Sequence, residues 1–240
     1  MAGAVLQLPA TVARHATQVL RLPVGASMVL FDGKGGEYPA TLSAVSKAQA
    51  SVNIGSFAAV ERESPLQCRL IQALQSADKM DLTLQKAVEL GVSALYPVSA
   101  RRSVLKLDAA RADKRLMHWQ GVAIAAAEQC GRNRLPQIAA VQNLTACLSD
   151  LAPAAPAELR FILLPEASQS LSAFLPVLRS GKELLVTLLV GCEGGFDPDE
   201  ENMALHAGFI PLRLGTRIMR TETAGLAALA ALQTLAGDFI

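Results

Sequence analysis

The segment Leu184–Gly208, LLVTLLVGCEGGFDPDEENMALHAG, combines an uninterrupted apolar run, a glycine-rich turn and a helix start. The apolar run, Leu184–Val190, has the length of a strand, and continuous apolarity is typical of a parallel sheet covered on both faces. The glycines of Val190–Phe196 follow directly, and glycine lets a backbone turn sharply and approach a ligand closely. We therefore predict a buried parallel strand that ends in either a plain turn or a ligand-binding loop.

The helix that follows has clear start and stop signals. Asp197 is suited to cap it, Pro198 takes the first helical position, and Glu200 lies three residues after the cap, as in a capping box. We expect this helix to end at Gly208.

Strands and helices alternate through the rest of residues 66–240. We predict further strands at Arg69–Leu74, Val92–Val98, Leu159–Leu164 and Phe209–Leu214, and helices at Lys79–Leu90, Asp113–Cys130 and Glu222–Ala236. This order is typical of an α/β domain with a mainly parallel sheet.

The first 60 residues have a different pattern. Short apolar runs at Ser27–Phe31 and Ala50–Ile54 flank a glycine-rich turn at Asp32–Gly36, and apolar and polar residues alternate over Tyr38–Val45. We predict a small, mostly β module, with the polar stretch Val60–Pro65 as a linker. The predicted domains are residues 1–62 and 66–240.

The composition excludes several classes of protein. The chain has 240 residues, with 22 Lys and Arg against 21 Asp and Glu. A nearly neutral protein does not bind nucleic acid through its net charge alone, but this balance is compatible with a local basic face. Its four cysteines form no C-x-x-C pair, which favours a reducing cytoplasm over a disulfide framework. The apolar run Ala224–Leu232 is too short to cross a bilayer, which needs about 20 residues. We expect a soluble cytoplasmic protein with no membrane contact.

Common cofactor and metal motifs are absent. The sequence has no G-x-x-x-x-G-K-[ST], G-x-G-x-x-G, G-x-S-x-G or H-E-x-x-H, and His15, His118 and His206 lie far apart. We expect no metal site. Between Arg101 and Arg134, however, eight basic residues stand against three acidic ones, which indicates either a phosphate-binding face or a solvated helix surface.

A second unusual segment is Leu212–Gly225, LRLGTRIMRTETAG. Thr221 is suited to cap the last helix. Arg217 and Arg220 are harder to explain, because an arginine beside an apolar helix needs an acid or an anion as a partner. A structural pair between Arg220 and Glu222 would be one such explanation.

Taken together, these segments resemble the RsmE family of small-subunit ribosomal RNA uridine-N3 methyltransferases, members of the SPOUT class. The resemblance rests on four blocks: His15–Tyr38, Lys79–Lys106, Trp119–Ile138 and Val190–Gln233. It implies a SPOUT-type α/β parallel-sheet domain with a C-terminal trefoil knot, preceded by a small PUA-like β-barrel that binds RNA. The knot loops would be Leu164–Glu166, Val190–Gly195 and Leu214–Ala224.

The resemblance also implies that the cofactor is S-adenosylmethionine. The residues that would bind it are Leu164, Pro165, Val190, Gly191, Cys192, Glu193, Gly194, Leu214, Gly215, Arg217, Ile218, Met219, Thr221, Thr223 and Ala224. Methyl transfer to uridine N3 requires loss of the N3 proton. Arg220 would stabilise the developing charge, and Glu222 or Glu166 would either accept the proton or orient an arginine.

The implied partners are ribosomal RNA of the small subunit and a second copy of the chain. Arg21, Arg101, Arg102, Arg132 and Arg134 would contact RNA phosphates, which position a substrate without reading its sequence. Two alternatives stay open. One is another SPOUT reaction, ribose 2′-O or guanine-N1 methylation, and the other is a non-catalytic RNA-binding assembly factor with the same fold.

Overall fold

The computed structural model describes residues 3–46, 49–151, 154–155, 157–181 and 183–239. These residues form two compact units. The first runs to Arg62 and also takes in Gly131–Arg134, which the sequence assigns to the second domain. The second consists of Glu63–Cys130 and the residues from Leu135 onward.

The first unit is built on an antiparallel sheet of four strands. They are β1 (Val5–Gln7), β2 (Ser27–Leu30), β3 (Tyr38–Val45) and β4 (Ala50–Ile54), in the spatial order β1-β4-β3-β2. The runs predicted from the sequence are therefore strands. Two elements were not predicted: the strand β1 and the helix α1 (Ala10–Arg14), which continues as a wider π-helical turn over His15–Val19. Its Ala13 packs with Leu42 and Val52 in the core of this unit.

The second unit contains a parallel sheet of seven strands. These are β5 (Gln67–Ala73), β6 (Val92–Ser99), β7 (Gln137–Ile138), β8 (Gln142–Asn143), β9 (Glu158–Leu163), β10 (Leu185–Val190) and β11 (Ile210–Leu212). The spatial order is β11-β9-β10-β5-β6-β7, and β8 also pairs with β6.

Six helices accompany this sheet. They are α2 (Ala77–Glu89), α3 (Ala109–Cys130), α4 (Leu144–Asp150), α5 (Leu175–Leu178), α6 (Pro198–His206) and α7 (Thr221–Ala236), with a 3₁₀ turn at Leu171–Phe174 before α5. Within the described residues, no helix has both the length and the apolarity needed to cross a membrane.

The capping box predicted before α6 is present. Asp197 accepts the N–H of Asp199, and the Glu200 carboxylate accepts the N–H of Asp197. Other helices differ from prediction: α2 begins at Ala77 rather than at Lys79, and α5 was not predicted. The helix α3 begins at Ala109 rather than at Asp113, because Asp108 accepts the N–H of Arg111 and caps the helix earlier. The helix α4, capped by an asparagine, was not predicted.

The prediction that Thr221 caps the last helix is wrong. Thr221 is the first residue of α7, and the capping position belongs to Arg220, whose side chain makes no capping bond. The Thr221 hydroxyl instead donates to the carbonyl of Gly191 at the end of β10. This hydroxyl therefore joins the start of α7 to the end of β10 rather than capping the helix.

The C-terminal chain crosses back over the sheet. Strand β11 lies at the far side of β9, whereas α7, which follows it, packs on β10, β5 and α2. The connection Arg213–Arg220 therefore passes the edge at which β9 and β10 end. The trefoil knot itself stays a prediction.

Candidate active site

A cleft of about 520 Å³ opens where β9, β10 and β11 end. We call this side of the sheet the carboxyl edge. The walls are the segments that follow these three strands and the first turn of α7, together with one residue each from α2, α6 and the segment after β6. Ligands of open parallel sheets bind outside the carboxyl ends of the strands, so this cleft is the candidate site.

The cleft brings together most of the residues that the sequence assigns to the cofactor. Thirteen of the fifteen line it, and so do Arg220 and Glu222. Gly194 and Thr223 are not among the lining residues, and neither is Glu166, which is exposed. Geometry therefore separates the two acids that the sequence left as alternative proton acceptors, because only Glu222 faces the cleft.

The glycine-rich segment forms a tight turn at the end of β10. Gly195 has a φ of +68°, which favours glycine, and its N–H donates to the carbonyl of Cys192 at 2.9 Å. Gly191 lies directly against Phe196: a Cβ added to this glycine would lie 3.2 Å from the phenylalanine ring. A side chain at this position would therefore press on Phe196, which also lines the cleft.

A fully buried glutamine ties this turn to α7. Gln72, near the carboxyl end of β5, has no exposed surface, and its Nε2 donates to Thr221 Oγ1 at 3.1 Å. Its Nε2 also lies 3.5 Å from the carbonyl oxygen of Gly191. Since the threonine hydroxyl donates to the same carbonyl, three segments of the carboxyl edge are locked together beneath the cleft.

Charged side chains meet on one wall of the cleft. Lys79 of α2 has its Nζ 3.2 Å from Glu193 Oε1 and 3.7 Å from Glu222 Oε2. The Oε2 atom of Glu222 is buried and accepts no hydrogen bond within the described residues. The expected alternative, a pair between Arg220 and Glu222, is not formed.

Two arginines of the cleft have no acidic partner in the part of the chain that the structure describes. Arg217 and Arg220 are both exposed, and both line the cleft. Neither side chain makes a hydrogen bond or an ion pair there. An uncompensated pair of guanidinium groups beside a cleft suits an anionic ligand.

The two adjacent arginines of the basic segment have different surroundings. Arg101 pairs with Asp197 and Asp199 at 2.8 and 2.7 Å, and these bonds raise the pKa of its guanidinium. Arg102 lines the cleft, and its Nη1 donates to the carbonyl of Gly194 at 3.1 Å. Arg101 therefore secures the start of α6, whereas Arg102 supports the glycine-rich turn.

The remaining arginines that were predicted to bind RNA lie in the first unit. Arg21 is exposed and has a φ of +52°, a conformation that few residues other than glycine adopt. Arg132 is only 7% exposed. Arg134 pairs with Glu61 at 3.1 Å and donates to the carbonyl of Lys34. Among these three arginines, Arg21 is the most available to a ligand.

Sequence reasoning missed Gln72, Lys79 and Phe196 of this site. The first two belong to the end of β5 and the start of α2, and a rule that ligands bind beyond the carboxyl ends of parallel strands would have pointed there. Phe196 stands inside the segment that was singled out, but nothing in its neighbours shows that it packs on Gly191.

Comparison with known proteins decides the family. The RNA methyltransferase domain model matches residues 62–233, and the RNA methyltransferase PUA domain model matches residues 8–55. The chain belongs to the RNA methyltransferase domain family. The resemblance to the RsmE group is confirmed by the ribosomal RNA small subunit methyltransferase E of Bacillus subtilis, which is 33% identical over 233 residues. That match covers 93% of this chain and 89% of the relative.

Solved methyltransferase structures are similar over nearly the whole chain. A ribosomal RNA small subunit methyltransferase E from Neisseria gonorrhoeae, bound to S-adenosyl methionine, has a TM-score of 0.89 and 38% identity. The match covers all of this chain and 95% of the Neisseria chain. A structure from Legionella pneumophila in complex with the cofactor SAM has a TM-score of 0.89 and 35% identity, with 99% and 94% covered. The predicted α/β methyltransferase fold with a PUA-like first domain is confirmed.

Proposed function

We propose that this protein transfers the methyl group of S-adenosylmethionine to N3 of a uridine in 16S ribosomal RNA of the small subunit. The observation that carries the proposal is the cleft at the carboxyl edge, built from the glycine-rich turn after β10 and the loop before α7. The same chain is 38% identical to a methyltransferase solved with this cofactor.

The residues of the cleft fit S-adenosylmethionine. A volume of about 520 Å³ lies in the range of small-molecule sites. Leu164, Leu214 and Met219 offer apolar surface to an adenine ring, and the bare backbone at Gly191 leaves room for close approach. S-adenosylmethionine supplies an electrophilic methyl group on its sulfonium sulfur.

The protein must also activate the uridine as a nucleophile. N3 becomes a nucleophile only when its proton leaves, so a proton acceptor is needed near the methyl group. Glu222 suits this role, because it lines the cleft and its side chain is 14% exposed, which leaves the carboxylate within reach of a ligand. Arg220, exposed at the cleft without a partner, would stabilise negative charge that develops on the uracil oxygens.

RNA would reach this cleft through phosphate contacts. Arg21 and Arg102 are the leading candidates, since Arg101 and Arg134 are held in ion pairs and Arg132 is buried. Such contacts orient a substrate but carry no sequence information.

We also propose that the protein acts in the cytoplasm as a homodimer. The four cysteines, all within the described residues, are free thiols. Ile218, an apolar residue beside the cleft, is 79% exposed, and a second copy of the chain would cover it.

The test is incubation with labelled S-adenosylmethionine and small subunits that lack the modification, followed by nucleoside analysis. We expect label on N3 of one uridine. Label on a ribose 2′-oxygen or on guanine N1 would assign another SPOUT reaction. No label, together with no heat of cofactor binding in a calorimetric titration, would instead indicate an RNA-binding assembly factor.

A further inference from the structure

One ammonium group spans two loops of the cleft. Lys79 lies in the first turn of α2, and its side chain is 26% exposed. It reaches Glu193 in the turn after β10 and Glu222 in the first turn of α7. These acids are 29 positions apart in the chain, so only the fold brings both of them to the same lysine.

The two contacts differ in kind. The distance of 3.2 Å from Nζ to Glu193 Oε1 is that of a hydrogen bond. The distance of 3.7 Å from Nζ to Glu222 Oε2 is too long for a hydrogen bond, but it is well within the range of Coulomb attraction. Lys79 therefore attracts the Glu222 carboxylate without occupying its Oε2 lone pairs.

Lys79 therefore attracts the Glu222 side chain, but the Oε2 atom of this carboxylate still lacks a hydrogen-bond donor. Its Oε2 is buried and accepts no hydrogen bond from any described residue. A buried carboxylate oxygen without a donor is costly, and the nearby positive charge offsets part of that cost. The side chain as a whole lines the cleft and is 14% exposed, so the carboxylate can take a proton from a bound substrate.

We propose that Lys79 is a positioning residue for methyl transfer: anchored by its hydrogen bond to Glu193, it holds Glu222 at the cleft as the acceptor of the uridine N3 proton. The inference deepens the proposed function and rests on it. In the reaction, the N3–H bond breaks, its proton passes to the Glu222 carboxylate, and the N3 electron pair forms the bond to the methyl carbon. The sulfur keeps the electrons of the broken S–C bond.

The test is a double-mutant cycle on the single-turnover methylation rate at saturating S-adenosylmethionine. Lys79→Met should lower that rate about tenfold, because a misplaced catalytic group loses most of its benefit. In the Glu222→Gln background, the same change should cost less than about twofold, since the lysine then has nothing to position. Glu193→Gln should lower the rate in the same direction, because it removes the anchor.

Two variants control for charge and for folding. Lys79→Arg keeps the cation and should recover part of the rate that Lys79→Met loses. Lys86→Met removes a lysine from the same helix, where it pairs with Glu89 at 2.8 Å outside the cleft, and should leave the rate unchanged. Thermal unfolding of each variant shows whether it is folded.

Several results would overturn the inference. One is an equal loss from Lys79→Met with and without Glu222. Another is a weaker affinity for S-adenosylmethionine with an unchanged saturated rate, which would make Lys79 a cofactor ligand. A third is a loss explained fully by a lower melting temperature. The rate counts any methylated product, so a wrong target atom would refute the proposed function while the cycle still reports on the pairing of Lys79 with Glu222.

Discussion

Charged side chains are fully paired at one edge of the parallel sheet and incompletely paired at the other. At the side of the sheet where the strands begin, which we call the amino edge, Glu158 and Arg160 of β9 are each only 4% exposed in their side chains and pair at 2.8 Å. Thr187 also donates to the same glutamate, and Arg160 donates to the carbonyl of Ala207. At the carboxyl edge, in contrast, the charges around the cleft are incompletely paired.

This difference separates stability from function within one sheet. A buried charge that is fully hydrogen-bonded fixes local structure, and removing one partner is costly. A charge without its full set of partners stays available to a ligand, which is how active sites differ from structural ion pairs. The comparison predicts that changes at the amino edge alter folding and that changes at the carboxyl edge alter chemistry.

The largest effect is expected at the amino edge. Arg160→Met leaves Glu158 buried without its cation and should lower the free energy of unfolding by about 3 kcal/mol or more. Denaturant unfolding measures this loss, and Lys86→Met, which breaks a partly exposed pair with Glu89, serves as the matched control at about 0.5 kcal/mol or less. If both variants were equally stable, the account of the amino edge would be wrong.

The second-largest effect is expected for the proposed proton acceptor. Glu222→Gln should lower the single-turnover methylation rate about 100-fold, because general-base catalysis typically contributes that much, with unchanged cofactor affinity and melting temperature. Glu166→Gln is the discriminating comparison, since Glu166 is exposed and does not line the cleft. A larger loss from Glu166→Gln than from Glu222→Gln would reverse the assignment.

A smaller effect is expected for the floor of the cleft. Gly191→Ala adds a Cβ 3.2 Å from the ring of Phe196, and overpacking of about 1 to 2 kcal/mol should weaken S-adenosylmethionine binding about tenfold. Gly121→Ala in α3 adds a Cβ that meets nothing within 4 Å, so it should leave binding unchanged and slightly stabilise the helix. Calorimetric titration compares the two; equal affinities would show that Gly191 does not shape the site.

The smallest effect concerns pH. Burial raises the pKa of Glu158, but hydrogen bonds from Arg160 and Thr187 and the charge of Arg160 lower it by more, so the native pKa lies below the ordinary glutamate value. The resulting stability is complete above the ordinary pKa of glutamate and is lost as pH falls through the native value. The free energy of unfolding of the wild type should therefore decline more steeply in acid than that of Glu158→Gln. Parallel acid profiles would contradict this.

Local chemistry made much of the fold predictable. The capping box at Asp197 depends on residues three apart, and the strand β10 depends on a continuous apolar run, so both are readable from the sequence. The glycine-rich turn after β10 was identified for the same reason. Residue type and short spacing were sufficient in each case.

Contacts between distant segments were not predictable from the residues themselves. Arg101 was assigned to RNA because it lies in a basic run, but its partners Asp197 and Asp199 come from a helix about 100 residues later. Thr221 has the residue type of a helix cap, yet its hydroxyl bonds to Gly191 because the fold brings β10 beside it. Charge runs and residue types describe one segment at a time, whereas these pairings depend on the packed sheet.

The most direct test of the account is hydrogen–deuterium exchange with and without S-adenosylmethionine. We predict slower exchange in residues 190–195 and 214–224 on binding, with residues 158–160 of the amino edge unchanged. Exchange that is unaltered at the carboxyl edge under saturating cofactor, or protection confined to another part of the protein, would contradict the claim that this cleft is the methyl donor site.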